Sequence, residues 1–278
     1  MNRIDLVVAG IDGSPQSLSA ARWAAQWCTS YGTPLQLVAI TGSPTDGARL
    51  RSHSGANADQ HTQATEILDQ TRAELAGIHP RLDIGTAVWT GTPADQLVDT
   101  SRTGALVVIG TRGVGGALSA WIGGVATGVV NQAPGPVIVV PVDLSPEPED
   151  VVALGIDPGS PGTAAAEFAV DAAARIGASL RALAFVDHQG QTEAAARSVR
   201  ELLARPLAAN PGLTVDIRVE VGPASWMLGE AAADCRLLVL GARRRRSTLA
   251  GLLLGSTSKR VVRDAQVATA VVRDTPTD

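Results

Sequence analysis

The stretch Gly110 to Ala126, GTRGVGGALSAWIGGVA, holds six glycines in seventeen residues, and Arg112 is its one charged side chain. It directly follows the apolar run ALVVI. A glycine-rich loop between a buried strand and a helix can cradle a phosphate. Glycine permits positive φ and close backbone approach, and the next helix begins with unpaired N–H groups. The same glycines can also serve only tight packing of helix against strand. The residues alone leave both readings open. The loop has no G-x-x-x-x-G-K followed by Ser or Thr, and GVGGAL fails G-x-G-x-x-G at its last position.

A second group of polar residues sits after other apolar runs. Asp12 lies in VVAGIDGS and Asp157 in VALGIDPGS. Either could contact a polar ligand or cap a turn. As a general base Asp12 lacks a partner nucleophile. His53, His61, His79 and His188 fall in neither H-E-x-x-H nor a Cys/His metal spacing, so no metal site is expected. There is no G-x-S-x-G elbow, and Ser14 and Ser160 read as turn or helix-cap residues. Trp23 and Trp27, four apart, read as core, and Trp121 as packing for the loop. No residue stands out as catalytic.

These residues need elements to position them, and the chain supplies a set twice. LVVAGIDGSPQSLSAARWAA at Leu6 resembles VVALGIDPGSPGTAAAEFAV at Val151. Gly10 and Asp12 correspond to Gly155 and Asp157, an offset of 145 that Gly32 and Gly177 keep. Gly91 and Gly222, and Gly110 and Gly241, are offset by 131. The first copy therefore holds extra residues, among them TGSPTDGARLRSHSGANADQ, which reads as a mobile loop. In each copy short apolar strands alternate with helical stretches. That pattern predicts an α/β fold of two doubly wound domains, each a parallel sheet with helices on both faces. Ligands of such sheets bind outside the strands' carboxyl ends, where Asp12 and the Gly110 loop both lie. The domains are expected at residues 1–143 and 151–278, joined by a linker at 144–150 within the proline-rich, acidic PVDLSPEPED.

Composition narrows the function classes. Apolar residues are 45% and charged residues 18% of the 278, which suits a packed core and excludes wholesale disorder. A net charge of −4 argues against a general nucleic-acid binder. Cys28 and Cys235 form no CxxC pair, which suits a reducing cytoplasm. The apolar run at the N-terminus is too short for a signal peptide. The stretch Val114 to Val130, followed by the polar Asn131 and Gln132, is short for a membrane span and rich in glycine, favouring a buried helix.

The spacing Gly110, two residues, Gly113, nine residues, Gly123-Gly124 resembles the ATP-binding signature of the universal stress protein family, G-x2-G-x9-G followed by Ser or Thr. The opening VVAGIDGSPQSLSAARWAA and the closing APGPVIVVP are similar to the same family's first and last strands. The resemblance runs through the chain twice. It implies five parallel strands per domain in the order 3-2-1-4-5, with the fifth strands meeting across a pseudo-two-fold axis, and a homodimer is open. The ligand it implies is ATP, with Mg2+ as an open companion and cyclic AMP or AMP as alternatives. Gly10 and Asp12, with Gly155 and Asp157, would approach the adenosine, and Ile40 and Phe185 the adenine. Gly110, Thr111, Arg112, Gly113, Gly116, Gly123, Gly124 and Val125 would wrap the ribose and phosphates.

Both copies depart from the signature. Gly124 stands where the family has Ser or Thr, which removes a hydroxyl contact worth roughly 1.5–3 kcal/mol to a charged group. The second copy reads GARRRRSTLAGLLLGSTS. Its candidates are Gly241, Arg243, Arg244, Arg245, Gly255, Ser256 and Thr257, with an arginine at the second-glycine position and one residue inserted. A side chain forced into a left-handed conformation there costs roughly 1–2 kcal/mol. The arginines could instead bind phosphate. The expectation is a regulatory, ATP-binding protein with its better site in the first copy. A slow ATP hydrolase and a partner-binding protein with decayed sites are the rivals.

Overall fold

The structure, a computed structural model, describes residues 4–42, 54–113, 123–144, 148–159, 162–242, 260–262 and 266–274. The chain divides into two compact units, one ending at Val142 and the other beginning at Asp143.

In the first unit the elements are β1 (Val7–Gly10), α1 (Pro15–Tyr31), β2 (Leu35–Thr41), α2 (Ser54–Ile78), β3 (Ile84–Thr90), α3 (Pro93–Arg102), β4 (Leu106–Gly110), α4 (Gly124–Gln132) and β5 (Val137–Val140). Every strand pairing is parallel, in the order β3-β2-β1-β4-β5. The second unit runs β6 (Glu149–Ile156), α5 (Thr163–Ile176), β7 (Ser179–Val186), α6 (Thr192–Ala208), β8 (Val215–Val221), α7 (Ala224–Ala231), β9 (Cys235–Ala242) and β10 (Thr269–Arg273). Its order, β8-β7-β6-β9-β10, is the same 3-2-1-4-5 arrangement, again all parallel. The α/β reading and the strand order hold in each unit.

The strands are apolar because helices cover both faces of the sheet. Val7, Val8 and Ala9 are buried in succession, as are Leu106 through Ile109. Helix α1 shows how the chain brackets an element. Ser14 caps it by accepting from the Ser17 N–H at 3.1 Å, and Pro15 occupies its first turn. Gly32 ends it in the left-handed region at φ 73°, as Gly177 ends α5 at φ 71°. Trp23, Trp27 and Tyr31 stack in series along α1 with centroids 5.3 Å apart, and all are buried. That is the core role expected of the two tryptophans.

Two expectations need correction. Helix α2 begins at Ser54, so residues 54–60 are helix where a loop was expected. The buried series Ala64, Leu68, Thr71 and Leu75 fixes the helix further on, and each residue added to a formed helix gains a hydrogen bond. Strand β6 begins at Glu149, so the last two linker residues are strand. Their charges explain it. Glu149 pairs with Arg181 at 2.8 Å and Asp150 with Arg236 at 2.7 Å, and the Glu149 N–H donates to the Asp234 carbonyl at 2.7 Å.

Candidate functional site

The carboxyl ends of β1, β2 and β4 open onto a cleft of about 360 Å³ in the first unit. That lies in the range of roughly 300–1,000 Å³ usual for small-molecule sites. The ends of the strands, the start of α3 and the start of α4 enclose it. Of the residues expected in the first copy, Gly10, Asp12, Ile40, Arg112, Gly110, Gly113, Gly123, Gly124 and Val125 line it. Thr111 does not line it. Its backbone bridges β5 and α4 instead, donating to Val140 at 3.2 Å and accepting from Gly123 at 2.8 Å. Gly116 and Trp121 lie outside the described residues, so their expected roles are untouched.

The site is built where α1 begins. Asp12 Oδ1 accepts the Ser14 N–H at 3.0 Å, and the Asp12 N–H donates to Ser17 Oγ at 3.3 Å. Ser17 Oγ in turn donates to the Ser14 carbonyl at 3.0 Å. This small network holds the Asp12 carboxylate at the cleft edge. Across from it the glycine loop comes very close. A Cβ on Gly113 would collide with Asp12 Oδ2, and one on Gly110 would stand 2.7 Å from the Gln16 carbonyl carbon. A Cβ on Gly123 would meet Arg112 Cα at 3.3 Å.

None of these four loop glycines (Gly110, Gly113, Gly123, Gly124) has a positive φ. In the first unit these glycines are therefore not needed for a left-handed backbone, and the arginine at the matching place in the second copy lies outside the described residues. What requires glycine is proximity. Gly110 serves packing on α1, and Gly113 leaves room for Asp12. Gly124 is the exception, since a Cβ there would meet nothing within 4 Å.

Electrostatically the cleft favours an anion. Helix α4 starts at its edge with Gly123 as N-cap, no side-chain cap and no acidic residue in its first turn. Its first N–H groups have no intrahelical partner and carry the positive end of the helix dipole. Arg112 adds a full charge, and its Nε is buried without a hydrogen-bond partner among the described residues. A buried unpaired donor is costly, which is why most such groups find a partner. The other walls, Val38, Ile40, Pro93, Leu97, Ile109 and Ala126, are apolar. An apolar pocket with one carboxylate, a guanidinium and free helix N–H groups fits a base, a sugar and phosphates. Among the described residues of the lining Asp12 is the one carboxylate, and no group of three or more acids, histidines or cysteines that could hold a metal ion is found among the described residues.

Sequence reasoning missed Ile11, Ser17, Val38, Pro93, Leu97, Ile109 and Ala126. Val38 was reachable, because it shares a face of β2 with Ile40. Pro93 and Leu97 reach the cleft only because α3 crosses beside β4, which no local pattern reveals.

In the second unit Asp157 repeats the turn of Asp12, accepting the Gly159 N–H at 2.9 Å. Gly155 and Phe185 end β6 and β7, and Gly241 lies in β9. Arg243, Arg244, Arg245, Gly255, Ser256 and Thr257 lie outside the described residues. The two cysteines are buried free thiols, and burial pushes each up to about 12, Cys235 in spite of the nearby Arg181. Neither is a nucleophile at neutral pH.

The comparisons with known proteins agree with this geometry. The pattern of the universal stress protein family matches the chain twice, over residues 4–141 and 150–273. A universal stress protein of Mycolicibacterium smegmatis is 32% identical over 286 residues, covering 96% of each chain. One from Mycobacterium tuberculosis is 30% identical over 301 residues, covering 96% of this chain and 94% of its own. The crystal structure of a universal stress protein from Archaeoglobus fulgidus shares the fold with a TM-score of 0.75 at 17% identity, covering 98% of this chain and 99% of that one. With both units matched and relatives aligned along nearly their whole length, the chain belongs to the universal stress protein family and carries its domain in tandem.

Proposed function

We propose that this protein is a stress-associated regulator that binds an adenine nucleotide, ATP foremost, in the cleft of its first unit. The observation that carries the reading is the unpaired, buried Nε of Arg112 beside the uncapped start of α4. The apolar wall at Val38, Ile40 and Leu97 would take the base. Asp12 would meet the ribose. The N–H groups of Gly124 and Val125, with Arg112, would hold phosphate. A magnesium ion would arrive with the nucleotide, Asp12 being the one acid among the described lining residues. The second unit's site is the weaker one in this reading, and the setting is cytoplasmic. Among the described residues no helix is long and apolar enough to cross a membrane.

Regulation is favoured over turnover because Asp12 Oδ1 is already engaged, accepting the Ser14 N–H. Thermal melts with rising ATP test the binding. At 100 times the dissociation constant a ligand adds roughly 2.7 kcal/mol to the folded state, so the melting temperature should climb with ATP. A flat series up to millimolar ATP would refute the reading. Parallel series with AMP and cyclic AMP rank the alternatives. Single-turnover assays with labelled ATP, against Asp12→Ala, test for slow hydrolysis.

A further inference from the structure

The outer strands of the two units are finished differently. In the first unit β3 is the edge, and side chains cover its outer backbone groups. Gln36, its amide turned so that the oxygen faces the N–H groups, accepts from Thr86 and Ala87 at 3.1 and 3.2 Å. It lies across Gly85, where a Cβ would strike its Oε1. At the end of the strand Gln96 Nε2 donates to the Thr90 carbonyl at 3.3 Å. In the second unit β8 is the edge, paired on one side with β7. By the offsets of 145 and 131 residues, Arg181, Asp216 and Met227 stand where the first unit has Gln36, Gly85 and Gln96. Arg181 turns instead to Glu149, Asp234 and the Ala231 carbonyl, and a thioether has no proton to donate. The Leu180 N–H donates to the Thr214 carbonyl and the Gly222 N–H to the Val186 carbonyl. The backbone groups of even-numbered residues in β8 therefore face β7, and those of Val215, Ile217, Val219 and Val221 face outward. None of these outward groups has a partner among the described residues.

We propose that β8 is a dimer interface: two copies of the chain join their β8 edges antiparallel, about a two-fold axis at Ile217. An open edge is a row of N–H and C=O groups that another strand satisfies in register. The strand VDIRVEV alternates β-branched residues, which suit a strand, with Asp216, Arg218 and Glu220, all exposed. Charges often guard an edge against a second copy. The order of these charges does the opposite. Antiparallel strands pair outward-facing residues with outward-facing residues. With Ile217 opposite its own copy, Val215 faces Val219, and Asp216 faces Arg218 on each side of the axis. Glu220 meets the uncharged Thr214. The next register, centred on Arg218, would set Asp216 against Glu220 and Arg218 against itself, so charge selects Ile217 as the centre. Within each copy Arg218 Nε already pairs with Asp216 Oδ2 at 2.7 Å. That leaves the other N–H groups of the guanidinium for the second copy. The proposal is independent of the nucleotide reading.

The test is sedimentation equilibrium of the full chain at concentrations up to about 1 mM, where even a weak complex forms. The wild type should pass from monomer to dimer as concentration rises. Ile217→Pro removes an outward N–H at the axis and no ladder bond to β7, and edge strands accept proline. It should stay monomeric with a near-normal melting temperature. Asp216→Arg and Arg218→Asp each set like charges face to face, and each should weaken dimerisation on the order of tenfold. Both residues are exposed, so these two variants report on the interface even where Ile217→Pro unfolds the chain. Mixed together, the two single variants should form a dimer of one of each, and both exchanges in one chain should restore self-pairing. A wild type that stays monomeric throughout overturns the proposal, whether the edge is then bare or takes an extended segment of another protein. A dimer untouched by Ile217→Pro and by both charge variants also overturns it, because the copies then meet elsewhere. So does a mixture of the single variants that stays monomeric, because Asp216 then does not face Arg218.

Discussion

Gly10 and Gly155 end equivalent strands, and the space above them differs. A Cβ on Gly10 would meet Ile109 and Leu97 at 3.5 Å, an ordinary contact. A Cβ on Gly155 would meet the Cδ2 atoms of Leu228 and Leu240 at 2.8 Å, so those side chains would have to shift. Leu97 and Leu228 are counterparts, as are Ile109 and Leu240, by the offset of 131 residues. So the same kinds of side chain leave room beside Gly10 and crowd the space beside Gly155. The turn after the third strand of each unit has changed as well. Where the first unit has Thr90, Asp95 and Gln96, the second has Val221, Trp226 and Met227, and Trp226 is 59% exposed. What is shared is the frame. Gly91 and Gly222 both have positive φ, and both donate at 2.9 Å to the end of the neighbouring strand. A duplicated domain can thus keep its strand order and turns while the packing at one strand end changes.

The largest expected effect is at the glycine that separates the two loops of the first cleft. Gly113→Val puts a branched side chain against the Asp12 carboxylate and into the space a phosphate would use. Calorimetry should show no heat of ATP binding, with a near-normal melting temperature because Gly113 is on the surface. Tight residual binding would make the loop a packing device and erase the contrast between the units. Next in size is Arg112→Ala. Loss of a charged contact worth roughly 1.5–3 kcal/mol corresponds to a drop in ATP affinity of about one to two orders of magnitude. Fluorescence or calorimetric titration measures it, and unchanged affinity would show that the Arg112 guanidinium does not meet phosphate.

Stability separates the units at their floors. Gly155→Ala should destabilise by about 1–3 kcal/mol through overpacking, since Leu228 and Leu240 are buried and have little room to move. Gly10→Ala should cost less, because its Cβ meets only ordinary contacts. Denaturant titrations of the two variants compare them directly, and equal losses would mean the second floor is no tighter than the first. The smallest effect concerns the thiols. Cys28 and Cys235, both pushed up to about 12, hold their protons throughout neutral pH. Alkylation should be slow in the native chain at pH 8 and rapid in denaturant. Fast native labelling of either would show that its burial is only apparent.

Much of the first site was legible beforehand because its residues are local. Asp12 follows a strand, the spaced glycines follow another, and strand ends in a parallel sheet share one edge. The reason for the glycines was not legible. Spacing cannot say whether a glycine is needed for φ or for proximity, and only the Gln16 backbone beside Gly110 and the carboxylate beside Gly113 decide it. Pro93, Leu97 and Ser17 escaped because they reach the cleft through tertiary placement. The helical start of α2 escaped because residues 54–60 include Gly55 and Asn57, poor helix formers extended from a helix fixed further on. The tight floor under Leu228 could not be foreseen, since the first unit has leucine at the same place.

Native mass spectrometry of the intact chain, titrated with ATP, tests the central claim most directly. The account predicts one nucleotide per chain at saturation, retained in Asp157→Ala and lost in Gly113→Val. Two bound nucleotides, or one that survives Gly113→Val and is lost in Asp157→Ala, would contradict it.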